Sequence, residues 1–487
     1  MILSPPDRRA GPRPGAIKIA AALGGALYLF VAFVVVIRVQ SGIVPAYAAA
    51  AVIAALPFCA YFAFRFPMIF PFSLYVALVP FDSLLQVTGG ATVARLVAGA
   101  TAATMILHAI LLRRAFAPHK AWYFWGGMLV YIALSLLWTS DPTAGLETTL
   151  SVLQLFLLMT VIAMYPASKT EFRVALGLLV AAGAASGAYA VYLHLTGNVS
   201  SDSGARVNIT AGHGITLDFN YYAASFILPI AIAMFFTFYG RRGDVRLASA
   251  ASALLMLVGL LLTGSRGAFV AAIAIVVYFA FRSRYRAQVL GFMVVAGAVS
   301  AFFPSVYLRF ARDPTSQAAS ASGRTFIWET GLHSLGDHWI FGGGIGSFGN
   351  IYDRNLLDVY QASFQGWTRP SHNLLVGAIT ELGVIGLVAV LAAWFVSFRQ
   401  LRVVPKTSEW YGLRLAFEGA ILALFAMSLT IDPTYIKYMW LAHSLALAFL
   451  NQAAPRQARL GLRKRQRTPV PNTLPFRDVR GQPARAE

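Results

Sequence analysis

The chain has 487 residues, 58% of them hydrophobic and only 12% charged, with a formal net charge of +20. Too few polar residues remain to clothe a water-soluble core of that size, which excludes a soluble enzyme and indicates a polytopic membrane protein. The excess of positive charge suggests a nucleic-acid partner only until its distribution along the chain is considered.

In chain order, apolar runs long enough to cross about 30 Å of hydrocarbon as helices fall at 16–37, 43–64, 67–87, 91–112, 121–138, 147–165, 173–195, 219–239, 247–263, 267–281, 287–304, 373–398, 414–431 and 435–451. They predict about 12–14 transmembrane helices. The runs are continuous and lack period-two alternation, so an all-α bundle is expected and a barrel is not. The first run is long, has no small-residue cleavage site and reads as a retained anchor. Cys59 is the single cysteine and can form no internal disulfide. The expected organisation is a cytoplasmic segment over 1–15, membrane helices with outer-face arginine turns over 16–304, a large outer loop over 305–371, C-terminal membrane helices over 372–451, and a basic, disordered cytoplasmic tail over 452–487.

With the amino terminus inside, all but ten of the 39 basic residues fall on the inner side, as the positive-inside rule requires. There they meet anionic lipid at helix ends, and the charge calls for no nucleic acid. Gly342-Gly343-Gly344-Ile345-Gly346 is no phosphate loop, because the Lys and the hydroxyl residue of that motif are missing. The ten outer cations are Arg38, Arg95, Arg206, Arg266, Arg309, Arg312, Arg324, Arg354, Arg369 and Lys437. All but one are arginine, the residue suited to a bidentate grip on phosphate in a partly dry site.

Arg266 lies in Thr263-Gly264-Ser265-Arg266-Gly267, between two apolar runs of about 15 residues, each reaching about 22–24 Å. The turn is therefore expected below the outer surface, where a charge needs a wet cavity or a partner. Arg206 sits in a polar outer loop ahead of Phe219-Asn220, and Asn220 at a helix start suits a cap. In the longest outer segment, Thr325 to Leu335 has helical patterning and is expected to lie as a lid over the bundle. Trp328, Trp339, Phe341, Tyr352, Tyr360, Phe364 and Trp367 suit either sugar stacking or an interfacial belt. His333 and His338 form no metal pattern.

His372 stands where this polar segment gives way to the apolar run from Leu374. With Ser371 as N-cap it falls in the first helical turn, where the helix dipole disfavours the imidazolium and keeps a neutral base available. Gly383 and Gly386 lie about three and four turns on, sharing its face and allowing close packing of a neighbouring helix. Glu381 falls on the opposite face.

His372-Asn373 followed by Gly383-Val384-Ile385-Gly386 resembles the histidine motif of bacterial O-antigen ligases and the related O-antigen and exopolysaccharide polymerases. Leu262 to Ala268 resembles their arginine turn, and Gly323-Arg324 with Trp328, then Gly344 to Phe348, their outer-loop signature. The resemblance covers about residues 200–390. It implies a GT-C-like glycosyltransferase of the bacterial inner membrane with its site facing the periplasm, taking an undecaprenyl-diphosphate-linked glycan as donor. No cofactor, nucleotide sugar or metal is implied.

On this resemblance Arg206 corresponds to the family's second diphosphate-binding arginine. Arg266 and Arg206 neutralise the diphosphate, Arg324 contacts donor sugar or phosphate, His372 is the catalytic base, and Asn373 holds the acceptor or the imidazole. The acceptor is a lipid A-core sugar or another terminal saccharide for a ligase, and a second lipid-linked repeat for a polymerase. A lipid-linked saccharide flippase remains a third alternative, although it would place charges at mid-bilayer, where this sequence has few.

Overall fold

The computed structural model describes residues 46–82, 92–111, 118–200, 206–207, 219–302, 324–360, 369–432 and 436–453. The expected first span at 16–37, the segment 1–15, Arg38, Arg309, Arg312, Phe364, Trp367 and the tail beyond 453 lie outside the described residues.

The helices are α1 (Ala46–Arg65), α2 (Phe72–Leu78, continued by a 3-10 turn Val79–Phe81), α3 (Val93–Leu111), α4 (Lys120–Ser135), α5 (Pro142–Met164), α6 (Lys169–Leu195), α7 (Phe219–Ala224), α8 (Ile227–Tyr239), α9 (Gly243–Leu262), α10 (Arg266–Arg282), α11 (Arg286–Ala301), α12 (Arg324–His333), α13 (Leu335–His338), α14 (Phe348–Tyr360), α15 (Leu374–Gln400), α16 (Tyr411–Ser428) and α17 (Lys437–Ala453). Between α6 and α7, β1 (Val199–Ser200) and β2 (Arg206–Val207) pair antiparallel, with Ser200 opposite Arg206. The protein is an all-α polytopic membrane protein. Seven stretches among the described residues are long and apolar enough to cross a membrane: Val93–Leu111, Pro142–Met164, Lys169–Leu195, Phe219–Tyr239, Gly243–Leu262, Leu374–Val403 and Tyr411–Ser428.

Two expected elements differ in form. The run 67–87 builds a seven-residue helix and a 3-10 turn, because Pro67, Pro71 and Pro80 interrupt the ladder. The run 219–239 breaks into α7 and α8 at Ser225-Phe226. Pro229 lacks the N–H that would bond the Ser225 carbonyl, and its ring crowds that same group.

Lipid is as apolar as the helices, so they associate through close packing. The most enclosed stretches are α7–α8 and α16, around which the other helices gather. Contacts pair α9 with α6 and α8, α10 with α16, α15 with α4, and α17 with α5. At the α6–α9 crossing a Cβ on Gly187 would come within 2.9 Å of the Leu255 carbonyl, and one on Gly259 within 2.9 Å of Gly187 Cα. The backbones there touch.

A second, smaller core joins α12, α14 and the start of α15 through Ile327, Phe348, Tyr352, Leu356 and Val376, with Trp328 packed against it. This separates the aromatic residues of the outer segment. Tyr352 is buried and Trp328 partly so, whereas Trp339 and Phe341 remain exposed at 57% and 55%.

Gly383 interrupts α15 with φ 67° and ψ −169°, a region open essentially to glycine alone. Residues 339–344 insert at the break. Gly343 N–H donates to Thr380 O (2.9 Å) and Gly344 N–H to Glu381 O (2.8 Å), while Val384 N–H reaches Trp339 O (2.9 Å) and Ile385 N–H reaches Ile340 O (3.5 Å). The Tyr131 hydroxyl of α4 donates to Leu382 O at 3.0 Å. The main-chain groups released from the helix ladder are thus paired again, as buried amides and carbonyls require.

Gly383 and Gly386 therefore do not serve to admit a neighbouring helix, as the sequence suggested. A Cβ on Gly383 would strike the Ile340 carbonyl of the inserted loop, and one on Gly386 the side chain of Leu382 in its own helix.

Candidate functional site

The arginine turn is built by a helix end and a helix start. Gly264 takes φ 64° between α9 and α10, and Ser265 caps α10 by accepting Ala268 N–H at 3.3 Å. The same Ser265 hydroxyl donates to Asn220 Oδ1 at 2.7 Å, tying the start of α7 to the turn. Asn220 thus anchors the arginine turn.

Arg206 arrives from β2. Its Nε–H donates to the Thr263 carbonyl at 2.7 Å, and its guanidinium lies 3.8 Å from the centroid of the Phe219 ring, a cation–π geometry. Two arginines that stand sixty residues apart in sequence are thereby held at one turn, Arg206 on residue 263 and Arg266 opening α10. Of the two helices flanking the turn, α9 has 20 residues, about 30 Å at 1.5 Å each and enough for a full crossing, and α10 has 17, about 25 Å.

In the histidine motif the cap is Asn373, not Ser371. The Asn373 side chain accepts Leu375 N–H at 2.9 Å and Val376 N–H at 3.3 Å. His372 consequently lies just before the helix, half-buried, with φ 48°. Among the described residues it is the single non-glycine at positive φ. Such a conformation persists only where surrounding contacts impose it. Both of its neighbours are held: Asn373 is fixed by its capping bonds, and Ser371 is buried, with its carbonyl accepting Trp328 Nε1–H at 2.9 Å.

Arg324 opens α12 four residues before Trp328, so it lies one turn along the face that meets the histidine loop. Glu381 lies within electrostatic reach of Asp432. It accepts Phe348 N–H at 3.0 Å, a carboxylate at the positive end of α14.

The segment after α16 joins the two motifs, a link with no signature in sequence. A Cβ on Gly267, beside Arg266, would strike the Thr430 side chain. Two residues on, Asp432 reaches the start of α15, where a Cβ on Gly377 would come within 2.9 Å of Asp432 Oδ2 and 2.8 Å of Ser371 Oγ. The arginine turn and the histidine loop therefore sit at the same end of the bundle, bridged by residues 430–432. Of the remaining expected outer cations, Lys437 forms an ion pair with Asp82. Among the described residues no group of three His, Cys, Asp or Glu side chains converges as metal ligands do.

Fold and site together define a multi-pass membrane protein that gathers arginines, an imidazole and a carboxylate at one end of its helices. Residues 251–391, from within α9 to within α15, match the O-Antigen ligase family model. The matched segment, which holds Arg266, Arg324, His372, Asn373 and Gly383, is similar to the O-antigen ligase family. Arg206 lies outside the matched segment. No curated protein matches the chain significantly.

Proposed function

We propose that the protein is an inner-membrane O-antigen ligase-type glycosyltransferase, moving a glycan from undecaprenyl diphosphate to an acceptor sugar hydroxyl at the periplasmic face. The observation that carries this reading is the convergence of Arg206 on the turn that presents Arg266, at the same end of the bundle as His372.

His372 takes the proton of the acceptor hydroxyl as its oxygen attacks the anomeric carbon. The bond from that carbon to the diphosphate oxygen breaks, and the electron pair leaves with the lipid diphosphate, giving inversion. Arg266 and Arg206 neutralise the charge that grows on the leaving group. Arg324, one turn from Trp328, is placed to meet donor sugar or phosphate, and the Asn373 amide is tied to its capping role. Asp432 is a candidate to orient the histidine loop, since its carboxylate faces the first turn of α15 beside Ser371.

A second lipid-linked repeat as acceptor would turn the same steps into a polymerase, and an assay of products separates the two. Purified protein with lipid-linked oligosaccharide and lipid A-core is expected to yield one capped product that requires the core. A ladder formed without core would assign the polymerase, and no product under either condition would refute the transferase.

Arg266→Lys is expected to lower transfer by about a hundredfold, nearly as far as Arg266→Ala, because a point ammonium cannot reproduce the planar fork on diphosphate. Initial rates at saturating donor check it; normal turnover of the Lys variant would make Arg266 an interfacial anchor only.

A further inference from the structure

Away from the arginines and His372, a cleft of about 650 Å³ opens between the α4–α5 turn and helices α13 and α14, walled in part by Trp138, Ser140, His338, Phe341, Arg354 and Asn355. We infer that this cleft is a saccharide subsite, gripping the glycan chain at a sugar remote from the bond being made. The inference rests on the transferase reading above and adds to it a place where chain identity is recognised.

The volume is that of a small-ligand site, and the lining has the chemistry of a sugar. A pyranose has an apolar C–H face and a rim of hydroxyls. The Trp138 and Phe341 rings, 6.1 Å apart and edge-to-face, offer the apolar surface. Polar groups surround it. Ser140 Oγ is buried with no hydrogen-bond partner, a state that a ligand hydroxyl relieves. Arg354 is exposed and has no ion pair or hydrogen bond among the described residues. Asn355 has one amide N–H tied to Ile351 O at 2.8 Å, which fixes the side chain in place. No carboxylate lines the cleft, so neutral and acidic sugars are both admitted. An interfacial aromatic belt would account for two exposed rings, but not for a cleft around them with a buried, unpartnered hydroxyl in its wall.

Location favours a glycan over a separate small molecule. The floor is made by Gly342 and Gly343, whose N–H groups are already engaged with His338 O (2.7 Å) and Thr380 O (2.9 Å), so recognition falls to the side chains. Thr380 lies seven residues beyond the Asn373 cap, about 10 Å along the helix that begins beside His372. An oligosaccharide with its reducing end at the arginines can span that interval, whereas a single sugar cannot.

The test uses the full chain in detergent and, as probe, the free reducing oligosaccharide released by mild acid from the lipid-linked pool of the cells that make it. Binding is read by saturation-transfer NMR and calorimetry. Arg354→Ala and Trp138→Ala are each expected to weaken binding about tenfold, while His372→Ala binds as wild type does. Arg354 is exposed on α14, so its removal leaves the fold intact, and the result does not depend on whether Trp138→Ala folds. Since the probe carries no diphosphate, binding is measured whether or not the protein catalyses transfer. Unchanged affinity in Arg354→Ala would overturn the proposal. So would loss of anionic phospholipid, rather than of oligosaccharide, in that variant, which would give the cleft to a lipid headgroup.

Discussion

His372→Ala is expected to reach the membrane at the wild-type level and to lose transfer by about 10²–10⁴-fold, the contribution of a positioned general base. The position complicates a simple deletion, since residue 372 is held at φ 48° and alanine tolerates that region poorly. His372→Asn supplies the control, because asparagine accepts the left-handed conformation and provides no base. Both variants should fall to the same residual rate with donor binding retained. Activity restored in the Asn variant, or turnover within a few-fold of wild type in either, would reduce His372 to a backbone element.

Gly383→Ala is expected to be strongly disruptive. It meets two costs at once: a main-chain conformation reserved for glycine, and a Cβ driven into the Ile340 carbonyl. Together they amount to about 3 kcal/mol or more. The inserted loop should be expelled, so that limited proteolysis cuts within residues 339–346 and the unfolding midpoint drops. Gly291→Ala, where a Cβ meets nothing within 4 Å, should leave both unchanged. Equal proteolysis patterns for the two variants would show that the break does not need its glycine.

The bundle was legible because long apolar runs carry their own signal, and membrane helices need little else. Helix breaks at Pro229 and Pro71 were legible only as local rules, and the run 67–87 hid its prolines inside an apolar average. The candidate site was legible at Arg266, His372 and Asn373 as motifs. How these residues are held was not. Ser371 and Asn373 are both good caps by type, but the Ser371 hydroxyl turns to the Asn373 carbonyl, and Asn373 is left to cap. Asp432 and Thr430 gave no sign at all, since their partners at Gly377 and Gly267 are distant in sequence and adjacent only once α16 packs on α10. Glycines read as helix-packing positions proved to be the socket for a loop, because spacing along an ideal helix assumes that the helix is unbroken.

That socket also orders events during synthesis. Tyr131 must wait for a carbonyl 251 residues later, and the 339–344 segment has no ladder to join until α15 has been made and set beside α4. Contacts of such separation form late. The loop and α12 to α14 will therefore be made before α15, with the α4–α5 turn as an early partner through the Thr139 hydroxyl, which donates to Ile345 O at 2.8 Å, and the histidine loop and the smaller core should mature together after α15 inserts. A chain interrupted before residue 374 would insert its early helices and still carry no assembled site, which makes nascent-chain length the switch between an inert bundle and a working one.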